Sequence, residues 1–244
     1  MLAAALFSVA ITFAGLSIGA ASVFSLWLRR QAGRMAANRD FAKLAPRGSG
    51  ASNKLANAVP EAVVVLCVRG HDPYLADTIR ALSRQNYGNY RILVVVDHYL
   101  DPAWQVVSDV KHELGLHDLQ FELQELAERR DQCGLKCSSL LQAIESLTAE
   151  SEGDRVIVTI DSDAVPGREW LAIVPTAMLS NPWAGSFAIR QTDLSRSGLL
   201  DAWRTSIIDD GPVRHCLQKI GKRIEFVPQN VVINRENCGL SYCF

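Results

Sequence analysis

The sequence predicts an α/β domain built on a mostly parallel sheet with flanking helices. Three observations carry that expectation: short β-branched runs that are apolar at every position, segments of helical spacing between them, and polar loops directly after the runs. An uncharged N-terminal stretch precedes the domain.

Residues 1–30 are expected to form one transmembrane helix. Met1 to Leu28 contains no charged side chain, longer than the ~20 apolar residues that cross a hydrocarbon core. A cleavable signal peptide would instead show a basic start and an apolar core of only ~7 to 15 residues. Arg29, Arg30, Arg34, Arg39, Lys43 and Arg47 follow with only Asp40 nearby, so the positive-inside rule places the remainder on the cytoplasmic side of a membrane. Residues 31–60, with Pro46-Arg47-Gly48-Ser49-Gly50, read as a basic and polar linker, and residues 61–244 as a single catalytic domain.

Within that domain Ala62 to Val68 (AVVVLCV) reads as a strand buried on both faces. Leu75, Ile79 and Leu82 fall at helical spacing and predict a helix over Tyr74 to Gln85. Arg91 to Val96 is a second buried strand, Pro102 to Leu114 a helix, Leu119 to Leu126 a third strand, Ser138 to Leu147 a helix and Arg155 to Ile160 a fourth strand. Strand and helix alternate, which calls for parallel pairing, with ligands gathering outside the carboxyl ends of the strands. The loops Arg69-Gly70-His71-Asp72, Asp97-His98 and Asp161-Ser162-Asp163 should therefore open onto one rim.

Composition narrows the function. With 244 residues, 48% hydrophobic content and a formal net charge of -1, the chain buries a real core and has no basic field for nucleic acid. Its six cysteines form no paired CxxC, so they read as small core side chains rather than a zinc site. There is no GxGxxG, no GxxxxGK[ST] and no GxSxG, which removes the phosphate cradle of dehydrogenases and P-loop ATPases and the nucleophile of α/β-hydrolases. What remains is acidic. Asp161 and Asp163 leave a buried strand together, and such a pair needs a cation or a dense set of donors beside it. Mg²⁺ or Mn²⁺, held by one or two carboxylates plus the phosphates of a substrate, fits that requirement; a surface turn that bonds its own backbone is the alternative.

Several ordered blocks resemble one family. Val68-Arg69-Gly70-His71-Asp72-Pro73-Tyr74-Leu75 is similar to the signature V-[KR]-G-x-D-P-x-L, and Gly134-Leu135-Lys136 with Leu140 to G-x-K-x-x-x-L. Gln85 to Ile92, and Asp97-His98 with Asp101-Pro102-Ala103, resemble the segments around its second strand. Gly185 to Arg190 resembles an acceptor-side strand, with Ala184 in place of a first glycine, and Ser206-Ile207-Ile208-Asp209-Asp210 resembles [ST]-x-x-[ED]-D. Gly221 to Pro228 is similar to the strand that follows. The family is that of inverting glycosyltransferases of GT-A fold resembling ceramide glucosyltransferase, within the group that includes cellulose and hyaluronan synthases.

The resemblance implies a membrane-anchored transfer of a hexose from a nucleotide diphosphate sugar, a UDP-sugar above all, to a lipid acceptor such as ceramide, with Mg²⁺ or Mn²⁺ as cofactor. Asp161 and Asp163 would bind the metal, Asp163 most directly, with Asp161 also contacting the donor. Asp97 would take the uracil or ribose, Arg69 the nucleotide and Lys136 the diphosphate. Asp210 would be the general base that removes the acceptor proton, and Asp209 would repel its charge or fix its orientation. Competing roles stay open: Asp97 as a helix cap before Pro102, Lys136 as an exposed lysine, Asp209-Asp210 as a cap for a helix near Pro212.

Relative to the family, the stretch between Asp163 and Ala184 is some tens of residues short, and no Q-x-x-R-W or R-x-x-R-W precedes Phe244. The domain is thus expected to be C-terminally incomplete, and a degenerate nucleotide-sugar-binding or scaffold protein is the alternative to an active transferase. A nucleotidyltransferase would share the acidic rim but calls for a Gly-rich basic first loop that is absent.

Overall fold

The computed structural model describes residues 22–23, 25–26, 59–150, 155–177, 185–225, 227 and 233–234. The chain divides into two units, Met1–Arg47 and Gly48–Phe244. In the first, the four described residues are helical. Apart from these and from Val59 and Pro60, the expected anchor at 1–30 and linker at 31–60 lie outside the described residues, among which no helix is long and apolar enough to cross a membrane.

The second unit carries β1 (Ala62–Val68), α1 (Leu75–Leu82), β2 (Tyr90–Val96), α2 (Pro102–Glu113), β3 (Phe121–Glu125), α3 (Leu135–Glu150) and β4 (Val156–Ile160). After these come β5 (Ala164–Val165), α4 (Trp170–Ala177), β6 (Ser186–Arg190), α5 (Gln191–Ser197), α6 (Leu199–Trp203), α7 (Val213–Lys219) and β7 (Ile233–Asn234). Five strands form one sheet in the order β3-β2-β1-β4-β6, and β5 pairs with β7 in a second. β1 runs parallel to both neighbours, Val64 facing Ile92 on β2 and Val158 on β4. β3 is parallel to β2, whereas β6 returns antiparallel to β4. The mostly parallel sheet expected from alternation is the one observed.

Why the strands are apolar at every position is now explicit. Val64, Leu66, Ile92, Val94, Val158 and Ile160 pack against Leu75, Ile79 and Leu82 of α1 and Val107 and Val110 of α2. The alternate residues Val63, Val65, Leu93, Val95 and Ile157 meet Leu140, Leu141, Ile144 and Leu147 of α3, with Leu199 and Trp203 of α6 behind. Each fully buried Val or Leu contributes about 1.5–3 kcal/mol relative to exposure, so both layers hold the sheet.

Boundaries shift for local reasons. α1 stops at Leu82 rather than continuing to Gln85, because the buried Gln85 amide turns back to donate to the Ala81 and Gly167 carbonyls and accepts from Leu171 N–H. β3 omits Leu119, which lies 89% exposed in the preceding turn. α3 starts three residues earlier than Ser138. The Arg91 strand starts one residue earlier, at Tyr90.

Candidate functional site

Parallel pairing aligns the carboxyl ends of β1, β2 and β4, and their loops bind one another. Asp101 caps α2 by accepting from Ala103 N–H at 2.8 Å, and both its oxygens also accept from Gly70 N–H at 2.9 and 3.0 Å. Gly70 holds φ +74°, the left-handed region that glycine enters without strain. The capping role considered for Asp97 therefore belongs to Asp101. Asp97 itself is buried, and the Arg129 guanidinium grips it by two hydrogen bonds, one from Nε at 2.8 Å and one from Nη2. Arg69, largely exposed, lies 3.5 Å from the same carboxylate. Arg129 was not foreseen; the signal was the basic pair Arg129-Arg130 at the end of the third strand, on the same rim.

The Asp161-Ser162-Asp163 turn is tied to other loops rather than only to its own backbone. Ser162 Oγ donates to Asp72 at 2.6 Å, and Thr78 Oγ1 donates to the Ser162 carbonyl at 2.6 Å. Asp161 N–H donates to the carbonyl of Gly185, which has φ +71° and stands directly before β6. A Cβ on Gly185 would lie 3.2 Å from Asp161 Oδ2, so this glycine lets β6 close against the acidic turn.

Lys136, in the first turn of α3, joins the two halves of the site. Its Nζ is 2.6 Å from Asp161 Oδ1 and 3.0 Å from Asp209 Oδ2. Burial alone would lower its pKa, but the two carboxylates outweigh burial and hold the ammonium above its ordinary value. Asp209 thus shares the Lys136 ammonium with Asp161 and is not an unpaired neighbour of Asp210. Nor do the two aspartates cap the next helix: the N-cap of α7 is Pro212, with no side-chain cap bond.

The loop that carries Asp209 and Asp210 is fixed from beneath. The wholly buried Trp203 donates its indole N–H to the Asp209 carbonyl at 2.7 Å, and Gly134 N–H donates to the Ser206 carbonyl at 2.8 Å. Gly134 has no room for a side chain, since a Cβ would stand 2.0 Å from the Ile207 carbonyl oxygen.

Lys136, Thr159, Asp161, Gly185, Ser186, Phe187, Ile208, Asp209 and Asp210 line a pocket of about 310 Å³. Of the expected residues it gathers Lys136, Asp161, Asp209 and Asp210; Asp163, Asp97 and Arg69 are not among the lining residues. A divalent cation fits the pocket chemistry in part. Asp161 and Asp209 both direct oxygens at one cationic centre, here the Lys136 ammonium, which stands in for a cation. Among the described residues no group of three or more His, Cys, Asp and Glu side chains is arranged to hold a metal.

Among the described residues no cysteine lines the pocket. Burial raises Cys67 and Cys137 to about 12, which keeps both protonated and inert as nucleophiles. Cys137 and Cys216 are buried and Cys67 and Cys133 half-buried, all four free; Cys238 and Cys243 lie outside the described residues.

Comparison with known proteins gives a consistent result. The model of the family described as "Glycosyl transferase family 2" matches residues 63–197. No curated protein matches the chain. Among solved structures, a mannosyltransferase from Pyrobaculum calidifontis, in complex with GDP-Man and Mn²⁺, aligns with TM-score 0.55 and 16% identity over 83% of this chain and 67% of its own. A mycobacterial protein aligns with TM-score 0.52 and 15% identity, covering 80% of this chain and 74% of its own. A glucosyl-3-phosphoglycerate synthase from Mycobacterium tuberculosis, in complex with Mn²⁺, UDP and phosphoglyceric acid, aligns with TM-score 0.43 and 14% identity over 62% of this chain and 63% of its own. The first two show a shared GT-A-like fold, a mostly parallel sheet with flanking helices.

Proposed function

The chain belongs to glycosyl transferase family 2, and from that premise we propose that it moves a hexose, with inversion, from a UDP-sugar to a lipid hydroxyl such as that of ceramide. The observation that carries the proposal is the pocket in which Asp161 and Lys136, on the donor side, meet Asp209 and Asp210 on the loop after α6. The solved mannosyltransferase holds both a nucleotide-sugar and Mn²⁺, which supports the same pair of ligands here.

In this reading Asp163 and Asp161, two residues apart in the turn, would hold Mg²⁺ or Mn²⁺, which when bound would supply charge stabilisation to a departing diphosphate. Lys136 adds a second positive charge on the same side, and Asp97, oriented by Arg129 and Arg69, meets the nucleoside. Asp210 accepts the acceptor's hydroxyl proton as that oxygen attacks the anomeric carbon from the face opposite the diphosphate. Asp209 orients this loop through its ion pair with Lys136. The lipid acceptor rests on the uncharged stretch from Met1 to Leu28 and its arginine flank, which support a membrane anchor with residues 61–244 on the cytoplasmic side.

The test is calorimetric titration of the purified full chain with UDP-glucose or another UDP-hexose, with and without Mn²⁺. Binding should require the metal and vanish in the Asp161→Ala, Asp163→Ala double variant; undiminished binding by that variant sinks the donor-site reading. Label should pass to ceramide in vesicles, and label recovered only on a soluble acceptor refutes the lipid assignment.

A further inference from the structure

The Lys136 ammonium sits where a metal-binding carboxylate should be open. Its Nζ lies 2.6 Å from Asp161 Oδ1, within direct hydrogen-bond distance, and its other anchor is Asp209 Oδ2 at 3.0 Å. Gly134, two residues earlier, fixes the start of α3 against the Ser206–Ile207 backbone, so the lysine springs from a point that cannot slide. Two cations cannot share Asp161 at ligand distance without strong mutual repulsion.

We propose that Lys136 is a resident counter-cation that blocks Asp161 to divalent metal until a diphosphate arrives to draw the ammonium away. This deepens the donor-site reading above and rests on it. Three consequences follow from the geometry. Metal alone binds weakly, because it must displace an ion pair that is already formed. A nucleoside diphosphate offers the ammonium a new anionic partner while supplying the oxygens that two carboxylates lack, so nucleotide and metal assist each other. The released lysine keeps its contact with Asp209 within reach, which links donor loading to the loop that bears Asp210.

The experiment measures Mn²⁺ binding by the electron paramagnetic resonance of the free ion, using the purified full chain, Mn²⁺ as the sole metal and UDP as the nucleotide. Lys136→Met should bind Mn²⁺ alone about tenfold more tightly than wild type, since two carboxylates lose their counter-charge. The same variant should lose most of the tightening that UDP gives to Mn²⁺ binding in wild type, because the cation that the diphosphate draws away is gone. A gain with Mn²⁺ alone separates the proposal from misfolding, which weakens Mn²⁺ binding with and without UDP. Lys136→Arg keeps the competing charge and should stay close to wild type with Mn²⁺ alone. Adding Asp161→Asn to Lys136→Met should abolish the gain. Unchanged or weaker Mn²⁺ binding by Lys136→Met overturns the proposal, as does a gain that survives Asp161→Asn. Failure of the donor-site reading shows differently, as UDP-sugar binding that persists when both Asp161 and Asp163 are removed.

Discussion

Gly134→Ala tests whether the contact between α3 and the Asp209-Asp210 loop is as close as described. A Cβ at Gly134 would stand 2.0 Å from the Ile207 carbonyl oxygen and 2.9 Å from its carbon, whereas ordinary contact begins at 3.4 Å. Those atoms are backbone, not the yielding end of a side chain, so either the helix start or the loop must move. Overpacking of this kind costs about 1–3 kcal/mol, and the displaced segment also loses the Gly134 N–H bond to Ser206, worth about 0.5–1.5 kcal/mol. Gly88→Ala is the matched control: nothing lies within 4 Å of its added Cβ, and the backbone there does not occupy the left-handed region. That control should be neutral or stabilising by about 0.4–1 kcal/mol through the unfolded state. Urea unfolding of both variants decides, with the midpoint of Gly134→Ala expected to fall at unchanged slope. Equal midpoints for the two variants would refute the close approach, and with it the claim that glycine is required at 134.

Two other outcomes follow from the same geometry. Asp210→Asn should leave UDP-hexose binding near wild type and lower transfer by about 10²–10⁴-fold, as expected for loss of a general base, and turnover at the wild-type rate excludes Asp210 from that role. Glu145, on α3, accepts from Arg130 Nη2 at 2.8 Å and Arg204 Nη2 at 3.0 Å; burial pushes its pKa up, but the two guanidiniums prevail and hold it below the ordinary 4.5. A lowered folded value means stability that is present above the unfolded pKa and lost as the pH falls through the folded one. Glu145→Gln should therefore lower the urea midpoint at neutral pH, with a deficit that shrinks as the pH falls below 4.5, and a deficit that stays constant across the acid range refutes the ion-pair account.

Legibility in the sequence divides along sequence separation. β1, β2 and β4 were readable because each is buried on both faces and so is apolar at every position, a pattern that needs no knowledge of neighbours. The end of α1 was not, since Gln85 looks like a helical residue until its partners Gly167 and Leu171 are known. The acidic residues of the site could be named from their blocks, yet their pairing could not. Asp97 meets Arg129 thirty-two positions away, and Lys136 connects Asp161 to Asp209, so local spacing fixes neither pairing. Gly134 is the clearest case: the motif showed a glycine, and only the approach of Ile207 explains why no other residue fits.

The place of β1 in the sheet order has a consequence for biosynthesis. It is the first strand of the sheet to leave the ribosome, yet it lies at the centre and needs β4, whose partners for Ala62 to Leu66 are Val156 to Ile160. At translation rates of about 5–20 residues per second, that strand waits on the order of 5–20 s with one long apolar edge unpaired. During that interval β2 covers only one side of it. A nascent chain of this topology is thus most exposed to misassociation before residue 160 has emerged, and it is in that window that a chaperone has something to hold.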